Sequence, residues 1–214
     1  MIIDLSHPLY SGMPVYPGDP ETMVTPHSAH DGEGFSVHTL VIGTHAGTHV
    51  DAPFHYIPQA TTIDTQHVLN ACIGSARVLD ITGVKSGAEI LPGDLGISPE
   101  SITTGERILL ATGWSERFEE SDYFEGFPSL SMELVTLFIE WGITLLGVET
   151  PSLHLSRSDE IHKKFLDAGI IVVENLANLR QLAGKSIFFS AAPLKLRGLD
   201  GSPVRAYAIV EEEK

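Results

Sequence analysis

The sequence has one cysteine, Cys72, in 214 residues. No disulfide can form within the chain, and any metal it holds must be bound by nitrogen and oxygen donors. Positive charge is also scarce: 13 Lys and Arg stand against 28 Asp and Glu, a formal charge of −15. Nucleic acid and anionic membrane both need positive patches, so neither is expected as a partner. No apolar run approaches the ~20 residues of a transmembrane helix. The opening MIIDLSHPLY has no basic segment leading into a long apolar one, so no signal peptide is read there and a cytoplasmic protein is expected. Also missing are a Gly-x-Ser-x-Gly elbow and a glycine loop able to cradle phosphate, which argues against a serine nucleophile and a nucleotide cofactor. No repeat, low-complexity tract or linker interrupts the chain, and 1–214 is read as a single domain.

Regular segments begin in the second third. RILLATGW, ITLLGVETP, IIVVENL, SIFFSAAP and VRAYAIV read as strands, as do FSVHTLVI (35–42) and SARVLDITG (75–83). SMELVTLFIEWG reads as a helix capped by Ser131 and stopped by Gly142; SDEIHKKFLDAG as one capped by Ser158 and ended by Gly169; NLANLRQLAG as a third. ITLLGV and IIVV are apolar on both faces, which predicts central strands covered on both sides. Strand–helix alternation with a strand-heavy first third predicts an α/β architecture with a mixed sheet. Asp80, Glu149 and Glu174 each end an apolar strand, where α/β sheets place their sites. For Asp80 and Glu149 the simpler reading is that a buried strand emerges there.

Against this ordinary background stands GTHAGTHVDAPFH, residues 43–55, with His45, His49, Asp51 and His55 in eleven positions. Two histidines and a carboxylate are a common ligand set for catalytic divalent ions such as Zn²⁺ or Mn²⁺. A bent loop with one helical turn, loosened at Gly43 and Gly47 and extended before Pro53, could aim His45, His49 and Asp51 at one point. His55 lies just outside that chelate and suits a proton shuttle near neutral pH. His162 sits at the edge of the apolar face of its helix. Glu174 closes the next strand, where a buried carboxylate needs a partner. These two could complete the coordination or bind a second ion. His7, His27, His30, His38 and His67 are left to surface or structural roles.

HAGTHVDAPFH resembles the His-x-Gly-Thr-His-x-Asp-x-Pro-x-His signature of the bacterial kynurenine formamidase family, also called the cyclase family. DLSHPLYSGMPVYPGDP is similar to the family's opening segment and EIHKKFLDAGIIVVENLANL to its later block, so the likeness spans nearly the whole chain. It implies a swivelling β/β/α fold, a homodimer and a zinc- or manganese-dependent amide hydrolase with one or two ions. It further implies that His45, His49, Asp51, His162 and Glu174 bind metal and that His55 is the acid/base. N-Formylkynurenine is then the lead substrate, and isatin-like cyclic amides or lactones the alternative. A metal- or ligand-binding protein without turnover is the rival of another class. The chain departs from the formamidases at His154, where they carry an acid, and at Tyr16, where they carry tryptophan. Tyr16 is read as a substrate contact.

Overall fold

The computed structural model describes residues 1–98 and 101–210. Its strands are β1 (Ile2–Asp4), β2 (Met23–Ser28), β3 (Val37–Val41), β4 (His49–Asp51), β5 (Ile73–Asp80), β6 (Glu89–Ile90) and β7 (Arg107–Ala111). They continue with β8 (Ser129–Leu130), β9 (Leu145–Val148), β10 (Ile171–Glu174), β11 (Ser186–Ser190), β12 (Gly201–Pro203) and β13 (Tyr207–Ile209). The helices are α1 (His30–Glu33), α2 (Gln66–Ala71), α3 (Met132–Trp141) and α4 (Ser158–Asp167).

Nine strands form one mixed sheet in the order β1-β13-β11-β5-β7-β9-β10-β4-β12. The run β5-β7-β9-β10 is parallel, and the pairs flanking it on both sides are antiparallel. The mixed α/β architecture expected from the alternation is therefore present. The doubly apolar strands β9 and β10 lie inside the sheet and are buried along their whole length. Ile171 and Val173 point into the core shared with Val50 and Leu109. Val172 points the other way, toward Phe138 of α3 and Phe165 of α4. Each such side chain contributes roughly 1.5–3 kcal/mol on burial. This two-sided packing fixes the register of β10, and with it the position of Glu174 at its end.

Helix α3 begins as its sequence predicts: the Ser131 hydroxyl accepts the Leu134 N–H at 3.2 Å, and Gly142 ends it in the left-handed region at φ 63°. Two other expectations are corrected. Ser158 is the first residue of α4 rather than its cap, and Arg157 before it makes no capping bond. NLANLRQLAG forms only a single 3-10 turn over Leu179–Leu182. The reason is local: Asn178 sits at φ 60°, and the Leu179 N–H is drawn off to the carboxylate of Glu149 at 3.1 Å.

Glu149 is also corrected. It does not mark an emerging strand but is fully buried at the end of β9. Its carboxylate accepts from the Gly113 N–H at 2.6 Å and the Ser115 hydroxyl at 2.7 Å, as well as from Leu179. It thereby ties three loops together. Burial raises its pKa, and these hydrogen bonds partly offset the rise. Asp80 fits the simpler reading, with an exposed carboxylate turned back on Thr82. The segment 35–42 does contain a strand, but β3 joins β2 in a separate two-stranded ribbon, and every residue of β3 is exposed.

Candidate metal centre

The two-residue period of a strand builds the floor of the site. In β4, Val50 goes into the core while His49 and Asp51 share the opposite face. Antiparallel pairing sets Glu174 directly across from His49 and Val172 across from Asp51. The turn before β4 then returns His45 over this face. Gly47 makes that turn possible at φ 60°, and a Cβ there would come within 2.7 Å of Leu9. Gly43, by contrast, adopts an ordinary backbone conformation. The loop thus has the expected bend, but no helical turn: 44–48 is turn and bend, and 49–51 is extended. Ala52 is extended before Pro53, as expected, and Pro53–His55 form a 3-10 turn. From the other side α4 lowers His162 onto Glu174, with Nε2 2.9 Å from Oε1.

The result is two donor groups that share the Asp51 carboxylate, beside a third formed by His45, His55 and Asp200. His45, His49 and Asp51 present donor atoms within 4.8 Å of one another, and so do Asp51, His162 and Glu174. His45 Nδ1 is 2.8 Å and His49 Nε2 3.3 Å from Asp51 Oδ1, while His162 Nε2 is 3.5 Å from Asp51 Oδ2. Ligands of a tetrahedral ion with bonds of ~2.0–2.2 Å stand roughly 3.3–3.5 Å apart; the His49 and His162 spacings fit, while His45 at 2.8 Å is in direct hydrogen-bond contact with Asp51. The outer nitrogens are also tied down. The Nδ1–H of His49 donates to the Gly47 carbonyl, and that of His162 to the Ser158 carbonyl, each at 2.8 Å. A carbonyl can only accept, so Nε2 of both rings is left free to face the carboxylates, an arrangement common among metal-bound histidines.

Without an ion the centre holds protons instead. Burial opposes charge on His45, His49 and His162, but the neighbouring carboxylates outweigh it and push the three up to about 9, 10 and 10. Burial would likewise raise Asp51 and Glu174, yet the imidazoles around them hold both below the usual range. A divalent ion would displace these protons. The sign for stability follows. Histidines whose folded pKa lies above the ~6.5 of a free imidazole stabilise fully below that pH and lose the contribution as pH rises through the folded value. For ion-free protein we therefore expect the Tm to fall between pH 7 and 10, and to fall less in protein loaded with Zn²⁺. Calorimetry across that window checks this, and a flat or rising ion-free profile would contradict it.

Above the two groups opens a cavity of about 360 Å³ whose walls include Tyr16, Phe118, Phe124, Tyr56 and Asn175. That volume suits a small molecule. His55 stands at its edge, its ring 3.9 Å from that of His45. Burial lowers its pKa, with Asp51 opposing and His45 and His162 reinforcing the shift. Tyr16 lines the cavity as its sequence context suggested. His154 does not line it: its Nδ1 accepts the Ser156 and Arg157 N–H groups and shapes the turn leading into α4.

Three residues at the site escaped sequence reasoning. Asp200 Oδ2 is 2.7 Å from His45 Nε2. Ser158, read only as a cap, lies 3.1 Å from His162 Nδ1 through its hydroxyl. Asn175, following Glu174, accepts a 2.7 Å hydrogen bond from the Tyr123 phenol. The Asp-Gly pair at 200–201 is a turn signal, but nothing local connects it to His45, which lies 155 positions away.

Comparison with known proteins gives the chain a family. Residues 3–154 match the family described as "Putative cyclase". The kynurenine formamidase of Bacillus cereus is 31% identical over 207 residues, covering 95% of each chain. That of Sphingopyxis alaskensis is 31% identical over 210 residues, covering 96% of each. Among solved structures, isatin hydrolase A from Labrenzia aggregata superposes with a TM-score of 0.87 at 28% identity, covering 99% of this chain and 94% of that one. A structure described as a potential metal-dependent hydrolase with cyclase activity gives 0.82 at 26% identity, covering 100% and 99%. The chain belongs to the cyclase family, in which the kynurenine formamidases stand.

Proposed function

We propose that this protein hydrolyses a small aryl amide using one or two divalent ions, zinc or manganese. His45, His49 and Asp51 hold one position, and Asp51, His162 and Glu174 the other. The observation that carries this reading is the sharing of Asp51 between two histidine–carboxylate groups at the base of an aromatic-walled cavity. A bound ion supplies Lewis acidity toward a carbonyl oxygen and lowers the pKa of a coordinated water toward ~7. His55 does the proton work. Its lowered pKa leaves it neutral at pH 7, so it can take the proton of the attacking water. It then delivers that proton to the amine as the C–N bond breaks. Tyr16, Phe118 and Phe124 are placed to hold an aryl ring over the ions.

N-Formylkynurenine is the lead substrate, supported by the formamidase relatives. One observation favours a second reading, a neutral cyclic amide of the isatin type. Among the described residues no Lys or Arg lines the cavity itself, Lys163 Nζ standing outside it 5.9 Å from the Tyr56 ring, so the amino-acid carboxylate of N-formylkynurenine would meet no Lys or Arg within the cavity. The deciding experiment measures hydrolysis of both compounds by protein loaded separately with Zn²⁺ and Mn²⁺. A kcat/KM of ~10⁴ M⁻¹s⁻¹ or more for either names the substrate and the preferred ion. Loaded protein inert toward both would reject the proposal and favour a binding role.

A homodimer in the cytoplasm completes the reading. No helix among the described residues is long and apolar enough to cross a membrane. Val37 and Val41 of β3, with Met23 paired across from Val41, leave an exposed apolar strip on one face of the β2–β3 ribbon, of the kind a second copy of the chain would cover. Sedimentation velocity at micromolar concentration reads the outcome, and a pure monomer would reject the dimer.

A further inference from the structure

The three ligand-type imidazoles are not oriented alike. His49 and His162 turn Nε2 inward and tie Nδ1 to a backbone carbonyl. His45 is reversed: Nδ1 faces Asp51 at 2.8 Å, and Nε2 points outward at Asp200 Oδ2, 2.7 Å away. Its outer partner is thus a carboxylate, a stronger acceptor than a carbonyl.

Asp200 is placed there by backbone pairing. Its carbonyl accepts the Ala52 N–H at 2.9 Å, and the next residue, Gly201, pairs with Asp51 between β12 and β4. Gly201 serves a second purpose. A Cβ on it would lie 2.6 Å from His45 Cε1 and 2.9 Å from Nε2, so the imidazole rests directly on the glycine backbone. The same Asp200 oxygen is 3.4 Å from the Thr44 hydroxyl and 3.5 Å from His55 Nδ1. One carboxylate therefore reaches the outer edge of an ion ligand and the ring of the proton carrier.

We propose that Asp200, with Gly201 beneath the ring, is a positioning residue of the centre: it fixes His45 with Nδ1 toward the ion and holds His55 beside it. This rests on the reading of His45 as an ion ligand. Outer partners of this kind typically change metal affinity by about 10–100-fold.

The test uses the full-length protein with Asp200→Asn, Asp200→Ala and Gly201→Ala. The Asp200 side chain is 32% exposed, so the first two are expected to fold with unchanged circular dichroism. Zn²⁺ affinity is read by competition with a chromophoric chelator. The imidazole N–H protons are read as shifted, solvent-exchangeable proton resonances in Co²⁺-loaded protein. Asp200→Ala is expected to weaken Zn²⁺ binding by about 10–100-fold. It should also lose one N–H resonance while those of His49 and His162 persist. Asp200→Asn, which keeps an accepting oxygen, should fall between wild type and Asp200→Ala. Gly201→Ala, whose Cβ would meet both the His45 ring and, at 2.9 Å, the Val50 carbonyl, keeps the carboxylate itself and should also weaken Zn²⁺. At saturating Zn²⁺, displacement of His55 should lower kcat of Asp200→Ala about tenfold, with KM little changed. Wild-type affinity in Asp200→Ala with all three N–H resonances intact would overturn the assignment of Asp200 alone. Failure of the wild-type protein to bind Zn²⁺ or Co²⁺ would overturn the metal reading and this inference together.

Discussion

Asp51→Ala is expected to empty both ion positions at once and to lower kcat/KM by at least ~10³-fold. The scale follows from the several kcal/mol of transition-state stabilisation that leave with the ions, each 1.36 kcal/mol being a factor of ~10. The breadth follows from geometry, because Asp51 gives Oδ1 to the His45–His49 group and Oδ2 to the His162 group. His162→Ala touches one group only and should leave part of the metal content in place, whereas Glu174 also stands 3.5 Å from His49 Nε2 and reaches both groups. Elemental analysis of the purified variants separates the cases. Asp51→Ala retaining one ion per chain would refute the shared-carboxylate reading. The ion-free fold should suffer as well. Asp51 is 1% exposed among three imidazoles carrying protons, and removing one partner of a buried charged group costs about 3–5 kcal/mol. Asp51→Ala without metal should therefore melt well below ion-free wild type.

His55→Ala should behave in the opposite manner, keeping its ions while kcat falls by roughly 10²–10⁴-fold. His55 donates to neither group around Asp51; its ring lies against His45 and opens to the cavity. The pH profile adds a sign. With its folded pKa lowered, His55 is a free base at neutral pH. Wild-type kcat/KM should be level near pH 7 and decline only as pH falls below the ~6.5 of an ordinary imidazole. In His55→Ala that acid limb should disappear or move. A loss below tenfold with unchanged metal content would refute the shuttle role, and an acid limb unmoved by the substitution would assign it to another group.

The gradient of legibility follows the range of the forces involved. The segments ITLLGV and IIVV are apolar on both faces, and such strands have stable positions only inside a covered sheet, which is where β9 and β10 lie. Ser131 and Gly142 bracket α3 through contacts within a few residues of themselves. The crowding of His45, His49, Asp51 and His55 is equally local, so they stood out as candidates from spacing and residue type. The path by which they meet could not. A spacing of four between His45 and His49 suits a helical turn, but pairing of β4 with both β10 and β12 made 49–51 a strand. The turn at Gly47 then brought His45 back over it. NLANLRQLAG carries a helical composition and lost most of its helix to a tertiary hydrogen bond from Leu179 to Glu149.

The sequence by itself marked the candidate donors, left a single cysteine and so no thiol cluster, and set the layered α/β frame. These depend on which atoms the side chains carry and on periodicities of two and 3.6 residues. Only the tertiary structure decided that Glu149 is a buried clamp, that His154 shapes a turn outside the cavity, and that Asp200 and Gly201 seat the ring of His45. The turn at His154 is held by Ser156 and Arg157 close beside it, but the Glu149 clamp and the seat of His45 join groups 36 and 155 positions apart in the chain. Their meeting is set by sheet register, to which composition and local spacing are blind.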